Sequence, residues 1–292
     1  MIVDSCAKLN LYLEVLNKRK DGYHDIKTVF ERISLSDKII LKPRRDNKIK
    51  IICSSPLVPK GKTNLAYRSA KLLQDSFLVK KGVNIEIKKR IPVGAGLGGG
   101  SSNAAAVLTG LNKFWGLRLG QNKLIKLAAS IGSDVPFFIY DSPFALGSGR
   151  GEKIKPLKAL DSVKLWHVLA VPKIEVLTPV IYKQWDSKRN LLRGLTSPPR
   201  GVKILTSALK ESDLSLIAKS LLNSLERVTS GLYPEVARIK ERFICLGLKA
   251  VLMSGSGPAV FAIVPSRKEA VSLCRQLKEE NKFWQVFASQ TR

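Results

Sequence analysis

The segment Pro92-Val93-Gly94-Ala95-Gly96-Leu97-Gly98-Gly99-Gly100-Ser101-Ser102-Asn103 contains five glycines within seven residues. A loop without side chains allows several backbone N–H groups to turn inward together. Residues 83–91 alternate apolar and polar like a strand, and two serines and an asparagine, all good N-caps, introduce a helix predicted from about Ser102 to Phe114. A nest of amides at the positive end of a helix predicts an anion site best suited to phosphate.

Two other phosphate-binding loops fit this chain less well. The spacing Gly94-x-Gly96-x-x-Gly99 matches a dinucleotide fingerprint, but it lies a third of the way along the chain and no acid occurs in residues 115–123. A P-loop ending occurs at Gly61-Lys62-Thr63, yet Pro56 stands where its first glycine is required. Nicotinamide chemistry and simple helix–strand packing by the glycines remain as alternative interpretations.

Composition describes a globular protein with room for two domains. The chain has 292 residues, of which 45% are hydrophobic, and no apolar run approaches the about 20 residues of a membrane span. The first residues lack the pattern of a signal peptide, so we expect a cytoplasmic protein. Four cysteines without CxxC spacing and two histidines fit a reducing compartment and exclude a zinc-finger framework: Cys6, Cys53, Cys245 and Cys274.

The chain is strongly basic, with 50 lysines and arginines against 23 acidic residues and a net charge of +27. Such a charge attracts polyanions, so a nucleic-acid-binding module is an alternative from another functional class. The cations are spread along the chain, however, and clusters of basic and aromatic residues are scarce. We therefore expect anionic small-molecule substrates, with no nucleic acid and no membrane as partner.

The remaining patterns predict alternating strands and helices. Residues 1–17 read as a strand with Leu9, Leu11, Leu13 and Val15 on its apolar face, and the pattern alone predicts that Lys8 and Asn10 on the opposite face contact solvent. Further strands are predicted at 28–35, 38–42, 144–147, 152–157, 164–171, 250–253, 259–264 and 285–288. Helices are predicted at 63–76, 121–130, 213–222, 234–246, 267–281 and from Thr178 onward, and residues 187–203 are predicted to form a flexible surface loop.

Three motifs follow one another along the chain. They are the N-terminal strand with Lys8, the glycine loop of residues 92–103, and the turn Ser254-Gly255-Ser256-Gly257-Pro258, here called the second glycine turn. In form and order they resemble the three motifs of the GHMP kinases, the superfamily of galactokinase, homoserine, mevalonate and phosphomevalonate kinases. Asp21-Gly22-Tyr23-His24 and the stretch 132–138 resemble the branch that acts on a diphosphocytidyl-linked methylerythritol. One departure is Asn223-Ser224-Leu225-Glu226, where the branch has Asn-Asp-Leu-Glu.

This resemblance implies an α+β, two-domain GHMP kinase fold with the active site in the cleft between the domains. Residues 1–157 would form an ATP-binding domain like domain 2 of ribosomal protein S5, and residues 158–292 a ferredoxin-like α/β domain. The implied reaction is ATP-dependent phosphorylation of the 2-hydroxyl of the diphosphocytidyl alcohol, in the non-mevalonate isoprenoid pathway. Another GHMP small-molecule kinase is the alternative, and a monomer or weak homodimer is expected.

Two residues are expected to carry the chemistry. Asp134, predicted as the N-cap of a short helix, would accept a hydrogen bond from the substrate alcohol, although its spacing fits a helix cap alone equally well. The resemblance places Lys8 beside Asp134 and the transferred phosphoryl group, where its charge would stabilise the developing negative charge. Mg²⁺ would bind mainly through nucleotide oxygens and water, because no dedicated carboxylate cage and hence no protein metal ligand is visible.

The resemblance also assigns the binding residues. The nucleotide phosphates would be held by Pro92, Gly94, Gly96, Leu97, Gly98, Gly99, Gly100, Ser101 and Ser102, with the two serine hydroxyls also available to Mg²⁺. Tyr23 and His24 would grip the cytosine, and Tyr182 would stack on its other face. Substrate hydroxyls and phosphates would contact Asn10, Asn103, Thr178, Gly255, Ser256 and Gly257.

Overall fold

The computed structural model describes the backbone of residues 1–192 and 201–292, and the side chains of residues 1–188 and 201–292. The strands are β1 Ile2–Lys18, β2 His24–Arg44, β3 Ile49–Cys53, β4 Gly82–Lys88, β5 Phe144–Ser148, β6 Lys153–Pro156, β7 Trp166–Pro172, β8 Leu222–Asn223, β9 Ala250–Met253, β10 Val260–Val264 and β11 Trp284–Gln290. The helices are α1 Leu65–Ser76, α2 Gly99–Phe114, α3 Gln121–Ile131, α4 Thr178–Leu192, α5 Gly201–Glu211, α6 Leu214–Ser220, α7 Glu226–Leu232, α8 Pro234–Cys245 and α9 Arg267–Glu280. Short 3₁₀ helices occur at Pro136–Ile139 and Lys158–Leu160. No helix among these described residues is long and apolar enough to cross a membrane.

The first sheet has the order β3-β4-β2-β1-β8, with β5 paired to another part of β2 and β6 paired to β5. Helices α1, α2 and α3 cover one face of it, and Ile39, Leu41 and Ile85 of the sheet join their buried apolar cluster. The small residues of α2 allow a close approach, since a Cβ added at Gly110 would lie 2.8 Å from Leu41 Cδ1. This packing holds the N-terminus of α2, and with it the glycine loop, in a fixed place above the sheet.

The second sheet is antiparallel throughout, with the order β11-β7-β10-β9. Helices α4 to α8 connect β7 to β9, and α9 connects β10 to β11. A β-α-β-β-α-β succession with the last strand beside the first is the ferredoxin-like arrangement. The predicted α+β fold with two different sheets is therefore confirmed.

The two sheets share buried contacts. One apolar cluster contains Leu9 and Ile33 of the first sheet together with Leu169 and Phe261 of the second. Strand β8 comes from the second half of the chain but pairs in parallel with β1. The predicted boundary at 157/158 falls between β6 and β7 and stays a prediction.

The structure differs from the predicted elements at several places. The strands predicted at 28–35 and 38–42 form one strand, β2, because a register shift absorbs extra residues opposite Cys6 and Ala7. Lys8 and Asn10 are only 4% and 2% exposed, so their predicted contact with solvent is wrong. The reason is tertiary: this face of β1 borders the cleft, where the glycine loop and the second glycine turn cover it.

The prediction of a surface loop at residues 187–203 is wrong at both ends of that range. Helix α4 continues to Leu192, and helix α5 begins at Gly201. The apolar face of α5, with Val202 and Leu205, packs into the shared core, which gives this helix a reason to form. The middle of the predicted loop, residues 193–200, lies outside the described residues.

Candidate active site

The glycine loop contacts both neighbouring motifs of the chain. Gly96 and Gly98 have φ angles of 75° and 67°, in the left-handed region that favours glycine. A Cβ at Gly96 would lie 2.2 Å from the carbonyl oxygen of Ser254, and a Cβ at Gly98 would lie 2.9 Å from Lys8 Cγ. Any side chain at these positions would therefore push the loop away from the second glycine turn or from Lys8.

The loop ends as the N-terminus of α2. Gly98 occupies the N-cap position and no side chain caps the helix, so the predicted N-caps Ser101, Ser102 and Asn103 are wrong. The first intrahelical bond runs from Ser102 N to Gly98 O, which leaves the amides of residues 99–101 without partners inside the helix. These amides and the positive end of the helix dipole are suited to an anion.

A cavity of about 470 Å³, here called the loop cavity, lies against this helix end. Eight of the nine residues predicted to bind nucleotide line it, and Ser102 does not. Those eight residues are Pro92, Gly94, Gly96, Leu97, Gly98, Gly99, Gly100 and Ser101. Ser102 is 2% exposed, and its hydroxyl accepts a hydrogen bond from Ser5 at 2.8 Å.

A second cavity of about 700 Å³, here called the cleft cavity, lies between the two sheets. It is lined by Lys8, Asp134 and seven of the residues predicted for the alcohol substrate, which are Asn10, Tyr23, His24, Thr178, Tyr182, Gly255 and Ser256. Asn103 lines the loop cavity instead, and Gly257 lines neither cavity. The two cavities share Gly96, Gly98 and Thr178, so they meet at the glycine loop.

Lys8 and Asp134 lie together at this junction. The Lys8 ammonium is 3.5 Å from Asp134 Oδ2 and donates to Asn10 Oδ1 at 2.5 Å. The Asn10 amide donates in turn to Thr28 Oγ1 at 2.7 Å, which fixes its oxygen toward the lysine. A buried ammonium held by two oxygen acceptors is a positive charge kept in one position.

Asp134 is not the predicted N-cap. Val135 occupies that position of the short 3₁₀ helix, and no side chain caps it. The carboxylate instead faces the cleft cavity and Lys8, with its side chain 31% exposed. Asp134 is therefore available to a ligand rather than bound to a helix end.

The far end of the cleft cavity is built around His24. Its Nε2 lies 2.6 Å from Asp186 Oδ1, and Lys18 donates to Asp186 Oδ2 at 2.6 Å. Burial raises the pKa of the Asp186 carboxyl, but the hydrogen bonds from Lys18 and His24 outweigh burial and hold the pKa below its usual range. Burial, with a smaller contribution from the charge of Asp134, raises the pKa of the Tyr182 hydroxyl.

Tyr182 stacks directly on His24, with ring centroids 5.1 Å apart and an interplanar angle of 28°. At this separation no base fits between these two rings. Tyr23 is 56% exposed, and the Arg150 guanidinium lies 5.0 Å from the centre of its ring. Both Tyr23 and Tyr182 line the cleft cavity, and Tyr23 is the more exposed of these two rings.

The second glycine turn is hydrogen-bonded to Asn223, which belongs to the stretch 223–226 that departs from the expected motif. The Asn223 amide donates to the carbonyl oxygens of Met253 and Gly255 at 2.7 and 2.8 Å. Ser224 Oγ accepts from Val15 N at 3.2 Å, so the serine supports β1 rather than the cavity. Above the turn, the hydroxyls of Thr178 and Ser256 are 2.8 Å apart.

Nine further charged or polar residues line the two cavities without a site role assigned from the sequence: Lys18, Asp21, Ser133, Arg150, Lys183 and Asp186 in the cleft cavity, and Thr63, Asn64 and Lys89 in the loop cavity. Asp186 follows Tyr182 by four residues on α4, a spacing that places both on one helix face and offered a signal. Lys183 lies on the same helix, Thr63 and Asn64 open the helix predicted at 63–76, and Asp21 and Ser133 lie within the quoted stretches 21–24 and 132–138. Lys18, Lys89 and Arg150 carried no local pattern, because they come from separate elements that only the fold brings together.

Comparisons with known proteins identify the family of the chain. The model of the GHMP kinases N terminal domain matches residues 64–142, and the GHMP kinases C terminal model matches residues 205–282. The chain is 47% identical to the 4-diphosphocytidyl-2-C-methyl-D-erythritol kinase of Geobacillus sp. (strain WCH70) over 90% of this chain and 88% of the relative. It is 45% identical to the kinase of the same name from Brevibacillus brevis, over 92% of this chain and 88% of the relative.

Among solved structures, the chain is similar to a crystal structure of 4-(cytidine 5'-diphospho)-2C-methyl-D-erythritol kinase. The TM-score is 0.81 and the identity is 33%, and the match covers 100% of both chains. The likeness therefore extends over both sheets and the cleft between them.

Proposed function

The chain belongs to the GHMP kinases, and we propose that it transfers the γ-phosphoryl group of ATP to the 2-hydroxyl of 4-diphosphocytidyl-2-C-methyl-D-erythritol. The products are the 2-phosphate and ADP, in a step of the non-mevalonate isoprenoid pathway. The observation that carries the proposal is the Lys8–Asp134 pair, which lies where the loop cavity meets the cleft cavity. A phosphoryl donor in one cavity and an alcohol in the other would meet beside this pair.

ATP would occupy the loop cavity. The free amides of residues 99–101 and the positive end of α2 suit the β- and γ-phosphates. The γ-phosphate would lie near Gly96 and Gly98, which belong to both cavities. The rest of the nucleotide would extend toward the cavity wall formed by Asn64, Lys89 and the apolar residues Leu57 and Val58.

Mg²⁺ would accompany the nucleotide. The described residues contain no group of three or more histidine, cysteine or acidic side chains placed to hold a metal ion. Ser101 lines the loop cavity and fits the role of a hydroxyl ligand better than Ser102, whose oxygen is buried against Ser5. When bound, Mg²⁺ would neutralise phosphate charge, with nucleotide oxygens and water as its main ligands.

The side chains at the junction have separate tasks. Asp134 would accept a hydrogen bond from the 2-hydroxyl and orient its oxygen toward the γ-phosphorus. The Lys8 ammonium would stabilise the charge that develops on the phosphoryl oxygens, at no reorganisation cost because Asn10 already holds it.

The diphosphocytidyl part would extend along the cleft cavity. The cytosine would stack on the exposed Tyr23 ring beside the His24–Tyr182 pair, rather than between His24 and Tyr182. Lys18, Arg150 and Lys183 line the same cavity and offer positive charge to the diphosphate. Thr178, Ser256 and the backbone of Gly255 would contact the substrate where the two cavities meet.

An ADP-release assay with a panel of alcohols tests the proposal. We expect ADP formation to require the diphosphocytidyl alcohol and to fall by about 10²–10⁴-fold in Asp134→Ala, as removal of a positioned proton acceptor does. Homoserine and mevalonate serve as substrate controls. If either were phosphorylated better than the diphosphocytidyl alcohol, the substrate assignment would fail while membership of the family would stand.

Three expectations about partners and location stay predictions. These are the lack of a nucleic-acid or membrane partner, the monomeric or weakly dimeric state, and the cytoplasmic location. Nucleic-acid binding that persisted at physiological salt would contradict the first, because a purely electrostatic association weakens steeply as salt rises.

A further inference from the structure

Asp37 of β2 is a carboxylate with no exposed surface, and it lies directly behind the glycine loop. Its Oδ2 accepts from Lys89 Nζ at 2.6 Å and from Asn103 Nδ2 at 2.9 Å. Its Oδ1 accepts from the backbone N–H groups of Arg90 and Ile91 at 2.7 and 2.9 Å. Four donors on one buried carboxylate satisfy it fully, which is how a protein tolerates a charge in its interior.

The four donors come from two segments beside the loop cavity, residues 89–91 and Asn103 of α2. The amides of Arg90 and Ile91 lie in the segment that leads from β4 into the glycine loop. Asn103 lies in the second turn of α2, where its amide also donates to Ser5 Oγ at 2.8 Å. Lys89 lines the loop cavity itself, and its ammonium would lie 3.1 Å from a Cβ built at Gly99, the first residue of α2.

The segments at both ends of the glycine loop are therefore hydrogen-bonded to the same carboxylate, that of Asp37. The segment before the loop and the helix after it are each hydrogen-bonded to Asp37, and the lysine beside the helix end is paired with it. Neither the loop nor α2 offers another carboxylate for this purpose, since neither contains an acidic residue.

We propose that Asp37 is a positioning residue for nucleotide binding, which acts by holding the Lys89 ammonium and both ends of the glycine loop in the geometry that receives the triphosphate. Asp37 touches no ligand, because it is buried behind the loop and lines neither cavity. The proposal rests on the nucleotide-binding part of the proposed function.

The decisive variant is Asp37→Asn, which keeps the size of the side chain and replaces one acceptor oxygen by an amide donor. Lys89 then loses its charged partner, and at least one of the four donors loses its acceptor. We expect the affinity for ADP and for a non-hydrolysable ATP analogue, measured by calorimetry, to fall by about 10–100-fold, the range for losing a hydrogen bond to a charged group. The KM for the diphosphocytidyl alcohol should stay within about twofold, since that part of the site is unchanged.

Lys89→Gln is the second variant, and it leaves three of the four donors on Asp37. We expect it to weaken nucleotide binding as well. The loss of binding free energy in the double variant should be smaller than the sum of the losses in the two single variants, because the two residues act together. Unchanged nucleotide affinity in Lys89→Gln would overturn the proposal even if Asp37→Asn failed to fold.

Glu31→Gln is the matched control. Glu31 is also a fully buried carboxylate of β2, but it contacts His167 and Thr291 between the two sheets and lies in neither cavity. This variant should lower the unfolding temperature and keep the nucleotide affinity. If Asp37→Asn behaved in the same way, Asp37 would have a structural role only, and the proposal would be wrong.

The outcomes separate this proposal from the proposed function. A wild-type protein that bound ADP but phosphorylated none of the tested alcohols would contradict the proposed function, while the comparison of variants would still decide the role of Asp37. A wild-type protein that bound no nucleotide would contradict both.

Discussion

Lys8 is almost fully buried, and its ammonium contacts groups that suit a fixed charge. Asn10 Oδ1 accepts a hydrogen bond from it, Asp134 Oδ2 forms an ion pair with it at 3.5 Å, and the centre of the Phe30 ring lies 5.5 Å away. Burying an ammonium costs desolvation free energy that its ion pair and hydrogen bond repay only in part, so the protein retains this one at the expense of stability. That cost is expected where a charge acts on a reacting group.

Replacing Lys8 by methionine tests this role. Methionine fills a similar volume and removes the charge, so we expect kcat to fall by about 10²–10³-fold, as loss of one preorganised stabilising group does. Steady-state kinetics with both substrates would measure the effect. Lys42→Met, which removes an exposed lysine paired with Glu86, is the control and should keep the wild-type kcat. A Lys8→Met enzyme with unchanged kcat would contradict the assignment.

At the scale of elements, the site depends on the approach of two backbone turns. Gly96 packs against the carbonyl oxygen of Ser254, and Ser254 Oγ donates back to Gly96 O at 3.2 Å. Ala259 N donates to Ala95 O at 3.2 Å just beyond this contact. The loop is thus fixed by the second sheet as well as by α2, although its residues all belong to the first half of the chain.

Gly98→Ala tests how closely the loop must pack against β1. The alanine would have to adopt a φ of 67°, and its Cβ would meet Lys8 Cγ at 2.9 Å. We expect the left-handed backbone to cost about 1–2 kcal/mol of stability, and displacement of Lys8 to lower kcat in addition. Thermal unfolding and steady-state kinetics measure the two effects separately.

Gly116→Ala is the control that separates the cost of a left-handed backbone from the displacement of Lys8. Gly116 also has a positive φ, 71°, but nothing lies within 4 Å of an added Cβ. This variant should lose similar stability and keep its activity. If both alanine variants lost activity equally, contact with Lys8 would not be the reason that Gly98 is needed.

At the scale of the whole molecule, the cleft is held between two sheets that contact each other on both sides of it. On one side the buried Glu31 of β2 meets His167 of β7 at 3.1 Å and accepts from Thr291 at 2.7 Å. On the other side Asp186 of α4 joins Lys18 of β1 and His24 of β2. The contacts of Asp186 with Lys18 and His24, here called the Asp186 bridge, close the cleft at the end where we propose that the base binds.

The lowered pKa of Asp186 gives this bridge a defined pH dependence. A carboxyl with a depressed folded-state pKa adds stability above its unfolded pKa, about 3.9, and loses it as pH falls through the folded value. The difference in unfolding temperature between wild type and Asp186→Asn should therefore be present at neutral pH and disappear at strongly acidic pH. A difference that grew on acidification would show that the bridge does not stabilise the ionised carboxylate.

Much of the fold was predictable because its signals are local. Asn64 caps the start of α1, and the hydrophobic period indicates both α1 and α3. The strand–loop–helix order around Gly94–Ser101 is a local signal of the same kind. The prediction of a surface loop at residues 187–203 was wrong at its C-terminal end because Val202 and Leu205 pack into the core, which stabilises helix α5 despite the loop-like composition before it. The prediction of N-caps at residues 101–103 was wrong because Gly98 takes the N-cap position of α2 without a side-chain cap. The prediction for Asp134 was wrong because the 3₁₀ helix begins after Val135, again without a side-chain cap.

The sequence by itself determined the kind of site. Glycine spacing, the Ser-Ser that follows it and the order of three motifs are properties of the chain, and they lead to a phosphate loop in a GHMP kinase. Only the tertiary structure decided how the site is held and charged. Lys89, Asp37, Lys18 and Asp186 come from distant positions, and the physical reason is that a buried charge is stabilised by partners close in space, which spacing along the chain does not reveal.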